Sequence, residues 1–207
     1  MDVVQAIKER RSINFFEPGR ELSDSTIREL LELANLAPSS MNLQPWRVIV
    51  VRTPERKQIL RAAAFNQPKV EEASAVLIII ADPLALEENM EAVLDRNVEL
   101  GYLTPERREG SKAAAHNLYG DKDSLKRKIF AVKNTALFAM GIMIAARGLG
   151  LETHPMDGFN AEQIKKEFHI PEHCIVPMLI AVGTLKLGTQ LLPRAFRRRI
   201  DAFVSFA

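Results

Sequence analysis

Residues 75–81, Ala-Val-Leu-Ile-Ile-Ile-Ala, contain no polar side chain. An aliphatic run of this length, rich in β-branched residues, predicts a strand with no face left for water. Such a strand has to be covered on both sides. Residues 175–182 have the same character and predict a second buried strand. Residues 47–52, also β-rich, predict a third.

Helical spacing fills much of the rest. Val3, Val4, Ala6 and Ile7 mark a short amphipathic helix over residues 2–11, ending in Arg10-Arg11-Ser12. Ser23 is placed to cap a helix running to Ala37, with Ile27, Leu30, Leu31 and Ala34 on one face. Thr53 followed by Pro54 opens another. Residues 84–102 return to helical spacing. Residues 130–147 are apolar on nearly every side and predict a central helix packed all round, closed by Gly148-Leu149-Gly150. The most apolar part, residues 135–146, is shorter than a bilayer span. Asn160 and Gln163 form a capping box for a helix through Phe168. Between these elements, residues 104–128 are polar and charge-dense; they read as a mobile excursion or a lid, with no internal structure assigned. Neither a repeat nor a linker interrupts the chain, so the expectation is one α+β domain over residues 1–207.

Composition narrows the function. The chain has 207 residues, 47% of them hydrophobic and 26% charged, with a net charge of +2. That balance is globular and gives no case for nucleic acid as a partner. The single cysteine, Cys174, excludes an internal disulfide and suits a reducing compartment. The N-terminal residues lack a basic flank and a long apolar run. A cytoplasmic protein without a membrane partner is expected.

Residues 38–46, Pro-Ser-Ser-Met-Asn-Leu-Gln-Pro-Trp, hold two hydroxyls, two carboxamides, two prolines and the only tryptophan. A turn between a helix and a strand needs one or two polar residues to close it. The surplus is either an ordinary Ser/Asn loop or a site for a ligand rich in neutral donors and acceptors. Arg10-Arg11-Ser12 reads either as a solvated helix end or as a phosphate site built from charge-assisted bonds. The terminal Arg194, Arg197, Arg198 and Arg199 invite the same two readings. The two basic clusters either converge on one dianion or bind a polyanion. His154 to Phe159 is either a turn leading to the Asn160 cap or a place where Gly158 lets backbone approach a flat ligand. Neither a dinucleotide fingerprint nor a phosphate-binding P-loop is present. His154, His169, His173 and Cys174 lack a metal-ligand spacing, and no metal is expected.

Taken in order, these segments resemble the flavin-dependent nitroreductase family over nearly the whole chain. The resemblance rests on Arg10-Arg11-Ser12, the loop from Pro38 to Trp46, Asn66-Gln67, Gly148-Leu149-Gly150-Leu151, Pro155 to Phe159, Gly183 and the terminal arginines. It implies a three-layer fold, a mainly antiparallel central sheet flanked by helices, in an intertwined homodimer with FMN at the subunit interface. By similarity, Arg10, Arg11 and Ser12 with Arg197 and Arg199 hold the FMN phosphate. Ser39, Ser40 and Asn42, beside Pro38, reach the flavin from the other subunit. Gln67 touches the ring or ribityl chain, and backbone from Pro155 through Met156 and Asp157 to Gly158 lies by its reactive edge. The implied activity is a ping-pong transfer from NAD(P)H through FMN to nitroaromatic, quinone or related small-molecule acceptors. Reductive dehalogenation, enone reduction and a non-enzymatic flavin- or polyanion-binding module are the alternatives. Family members commonly carry Lys or Arg where this chain has Asn14. Loss of that cation predicts a lower flavin potential or an altered preference between one- and two-electron chemistry. Substrate identity is expected to reside in residues 104–128.

Overall fold

The computed structural model describes residues 2–207. Its strands are β1 (Trp46–Val51), β2 (Ala75–Ala81), β3 (Glu152–Met156) and β4 (Ile175–Gly183). Its α-helices are α1 (Val3–Glu9), α2 (Asp24–Ala34), α3 (Pro54–Ala63), α4 (Lys69–Glu72), α5 (Ala85–Glu99), α6 (Arg108–Tyr119), α7 (Leu125–Gly148) and α8 (Ala161–Glu167). The strands form one antiparallel sheet in the order β1-β2-β4-β3. The two aliphatic runs take the centre, where both faces are covered, and every residue of β2 is buried.

Side chains alternate across the sheet as the strand period requires. Val76, Ile78 and Ile80 join Leu179 and Ala181 in a core closed by Leu60 and Ala63 of α3, Val70 of α4 and Ile164 of α8. Leu77 and Ile79 join Ile180 and Val182 in a second core, closed by Leu30 and Ala34 of α2 and Phe138, Ala139, Ile142 and Ala146 of α7. This is the expected three-layer arrangement. Asp2, Ser23, Thr53, Ser124 and Asn160 each cap a helix by accepting a backbone N–H three residues on, each bond contributing about 1 kcal/mol.

Two expectations from the sequence need correction. The first half of His154 to Phe159, which reads as a turn or a ligand wall, belongs to the edge strand β3 (Glu152–Met156). Pro155 and the polar neighbours mask it, and an edge position tolerates a proline because one side of the strand has no ladder to complete. Residues 104–128 are mostly helical: α6 occupies their middle and α7 begins at Leu125, well before the apolar run at residue 130. A third core gathers Leu43, Leu86, Met90, Leu94, Ala115, Tyr119 and Phe130 beneath them. Arg108 pairs with Glu91 and Asp95, binding α6 to α5. With 24 residues, α7 is also long and apolar enough to cross a bilayer by length and composition. Half of its apolar window is nevertheless buried inside the fold, and Arg127, Asn134 and Thr135 on it are buried too.

Candidate functional site

After α1 the chain runs across the ends of β3 and β4. Ser12 bridges Thr153, the Ile13 N–H donates to the Thr153 carbonyl (3.0 Å), and Phe16 bridges Leu185. Ile13 and Phe16 are buried, leaving Ser12 and Asn14 exposed beside β3. Gly183 makes this docking feasible. A Cβ there would lie 3.0 Å from the Phe16 ring and 3.1 Å from the Ser74 nitrogen.

The C-terminal segment returns to the same place. Arg11 donates to the Pro193 carbonyl (3.1 Å), and Arg194 donates to the carbonyls of Lys8 and Arg10. The Arg10 guanidinium titrates below its ordinary value, first because it is partly buried and then because Arg194 and Arg197 stand near it. Three like charges at one helix end form a cluster that a phosphate dianion would stabilise. Arg199 is instead directed toward Asp201 (3.9 Å), and Arg198 lies over the Phe203 ring. Within this chain, therefore, Arg194 and Arg197 approach Arg10. Sequence reasoning does not select Arg194, because nothing in its spacing separates it from the other tail arginines.

Lys69 is missed by sequence reasoning too. Its ammonium donates to Asn14 Oδ1 (2.7 Å) and faces His154 Nε2 at 3.1 Å. Burial lowers the Lys69 pKa. His154 is held down to about 4 by burial, and then by the neighbouring Lys69 charge, so the imidazole is neutral at pH 7 and accepts from the ammonium. A cation from α4 therefore stands against Asn14. No periodic signal marks it; only the contact does.

Next to this corner, Gln67 Nε2 donates to the Gly158 carbonyl (2.8 Å). Phe65 and Asn66 take left-handed backbone conformations (φ 53° and 58°), which cost energy in non-glycine residues and cluster at ligand sites. Pro155 is half-buried, Asp157 and Gly158 are exposed, and the Met156 side chain lies in the core.

The loop from Pro38 to Trp46 is strained as well, with positive φ at Met41, Asn42 and Gln44. Much of its polar surplus is spent on holding its own shape. Ser39 Oγ accepts from the Gln44 N–H (3.0 Å), and the Ser40 N–H donates to Asn134 Oδ1 (2.9 Å). Gln44 donates to the Asn42 carbonyl, while Trp46 Nε1 donates to Asn35 Oδ1 and stacks its ring on Phe138. Thr135 and Asn89 donate to the carbonyls of Pro45 and Leu43. Asn42 stays exposed and Pro38 flanks the loop.

The loop and Ser12 sit toward opposite ends of the sheet. Trp46, where the loop enters β1, pairs with Ala81, which pairs with Ile175 at the start of β4. Ser12 bridges Thr153, which pairs with Val182 at the end of β4. Ile175 and Val182 are seven residues apart on β4, about 23 Å along the strand at about 3.3 Å per residue. One further cluster, Asp82, His173 and Cys174, has its ligand atoms within 4.8 Å of one another. However, Asp82 already accepts from Arg47 (2.7 Å) and the Leu84 N–H (2.8 Å). Burial pushes the Cys174 thiol up to about 11, which disfavours the thiolate a metal needs.

The model of the nitroreductase family matches residues 7–184. An NADH dehydrogenase of Thermus thermophilus is 37% identical over 88% of this chain and 86% of its own length. YodC of Bacillus subtilis, provisionally named an NAD(P)H nitroreductase, is 35% identical over 88% of this chain and 89% of its own. The crystal structure of a protein from Exiguobacterium sibiricum, provisionally named a nitroreductase and solved in complex with FMN, superposes with a TM-score of 0.88. It is 29% identical, and the match covers all of this chain and 98% of that one.

Proposed function

The chain belongs to the nitroreductase family, and we propose that it is an FMN-dependent NAD(P)H oxidoreductase whose cofactor site is completed by a second copy of the chain. The observation that carries the second part is the separation of the two half-sites: a phosphate-and-amide corner at one end of the sheet and a strained polar loop at the other. When bound, FMN supplies the redox chemistry, accepting hydride from NAD(P)H and reducing a nitroaromatic, quinone or similar acceptor in a ping-pong cycle.

The residues present fit that cofactor. Arg10, Arg194 and Arg197 match the charge of a phosphate, and Ser12 adds a hydroxyl beside them. Arg11 holds the tail in place, and Arg199 is left to meet the phosphate only if the tail shifts on dimerisation. Lys69 offers a positive charge, and Asn14 an amide, to the region where reduced flavin becomes anionic. Gln67 keeps its carbonyl oxygen for the ring or ribityl chain, while backbone from Pro155 to Gly158 forms a wall. Ser39, Ser40 and Asn42 approach from the partner.

The surface agrees with a homodimer. Ile129, Leu137 and Met140 on α7 and Val3, Val4 and Ile7 on α1 are exposed apolar residues, as are Phe196, Phe203 and Phe206 of the extended tail. Exposed apolar surface of this extent marks an interface. The chain is read as one domain, and its lone free cysteine suits the cytoplasm.

The decisive measurement is the visible spectrum of the purified protein, followed by steady-state assays with NADH and NADPH against nitroaromatic, quinone, enone and halogenated acceptors. A flavin spectrum with NAD(P)H-dependent turnover is expected. A colourless protein that takes up no FMN would overturn the reading.

A further inference from the structure

Tyr119, the last residue of α6, is 5% exposed, and its ring packs on Phe130 with centroids 4.4 Å apart. Its hydroxyl lies 2.6 Å from Ser40 Oγ, 79 residues away in the chain. A phenol is more acidic than an aliphatic alcohol, so tyrosine donates and serine accepts. The remaining polar groups of Ser40 are also directed. Its N–H is taken by Asn134 Oδ1 (2.9 Å), and the Asn134 amide is itself anchored on the Phe130 carbonyl (2.7 Å). The Ser40 hydroxyl is thus left with its own hydrogen to give, in a loop whose neighbours Met41 and Asn42 are held in left-handed conformations.

We propose that Tyr119 is a positioning residue for the cofactor: by donating to Ser40 Oγ, it fixes the serine hydroxyl as a donor to an acceptor atom of FMN. The inference rests on the FMN reading and adds to it a residue from the polar segment, residues 104–128, that the sequence reads as a mobile excursion or a lid. A free serine hydroxyl donates or accepts by rotation. One already accepting from a phenol donates onward, and the two bonds polarise each other. The ligand atom it meets is therefore an acceptor, such as a ribityl oxygen or a pyrimidine carbonyl. Because the Gly120 carbonyl next to Tyr119 accepts from the buried Arg127 (2.7 Å), the end of α6 is fastened and the phenol is held in register with the loop.

The test is an FMN titration of flavin-stripped protein for wild type, Tyr119→Phe, Ser40→Ala and the double variant. Thermal melting of each confirms that the aromatic ring at position 119 still packs on Phe130. Loss of one hydrogen bond predicts a roughly threefold to tenfold weaker Kd for Tyr119→Phe. It predicts no further loss when the same change is made in Ser40→Ala, and the same displacement of the bound-flavin absorption spectrum in both single variants. An effect of Tyr119→Phe that is equal in both backgrounds assigns the residue a structural role and overturns the proposal, as does wild-type affinity in Tyr119→Phe. Wild-type protein that takes up no FMN overturns the family-based reading along with it, so the two failures are distinguishable.

Discussion

Lys69, Asn14 and His154 meet at one corner, where burial lowers the pKa of both the ammonium and the imidazole. The ammonium donates to an amide oxygen and a neutral imidazole, and carries the positive charge that position 14 does not. Replacing Lys69 by Met should lower the midpoint potential of bound FMN by roughly 30 mV, equivalent to about 1.4 kcal/mol for a two-electron couple. Potentiometric titration checks this; an unchanged potential would show that Lys69 does not face the flavin. Asn14→Lys should change the potential less, because a second ammonium would stand against the first. His154 gives a pH dependence of known sign. Its pKa is about 4 in the fold against an ordinary 6.5, so below pH 6.5 the unfolded chain takes up a proton that the folded one refuses. Its contribution to stability is complete above pH 6.5 and is lost as pH falls from there through about 4. Allowing for partial exposure, the loss is about 1–2 kcal/mol. Urea unfolding at about pH 7 and about pH 4.5 should show this loss in wild type and a smaller one in His154→Gln.

Among the elements, α6 is the one whose order depends most on a few polar contacts. Arg127, at 1% exposure, pairs with Glu87 and donates to the carbonyls of Pro83 and Gly120. It therefore ties the start of α7, the end of α6 and the start of α5 together. Arg127→Met removes these bonds and leaves four oxygens, two carbonyl and two carboxylate, to find water. Since Glu87 is partly exposed, the cost should be about 2–3 kcal/mol, less than for a fully buried pair. Limited proteolysis should then cut residues 104–124 first while the sheet stays protected; cleavage elsewhere would show that the tie is not local. The two masked elements have different causes. β3 contains a proline and polar residues because it is an edge strand. α6 has its charges, Arg108, Glu109 and Lys112, near its start, and its buried residues are only Ala115 and Tyr119, too few for a clear helical stripe. By contrast, β2, β4 and the capped starts of α2, α3 and α8 were legible, since a continuous aliphatic run and a cap are local signals.

At the scale of the molecule, the two half-sites stand at opposite sheet ends while an apolar stripe on α7 faces outward. Leu137→Glu combined with Met140→Glu should convert a sedimenting dimer into a monomer that has lost its flavin but keeps its secondary structure by circular dichroism. A dimer that survives both charges would place the interface elsewhere. The residues proposed for both half-sites come largely from the sequence. Their separation, the approach of Arg194 and the arrival of Lys69 do not, because each depends on contacts between segments distant along the chain. What the sequence alone determined is the set of structures its local chemistry permits: buried strands from unbroken aliphatic runs, helix starts from capping side chains, and a polar loop too rich for a simple turn. The tertiary structure decided which of the loop's hydrogen bonds are spent internally, that Lys69 stands against Asn14, and that one chain keeps the loop apart from Ser12. Those outcomes depend on strand register and on distances between remote side chains, neither of which is written in any single stretch of residues.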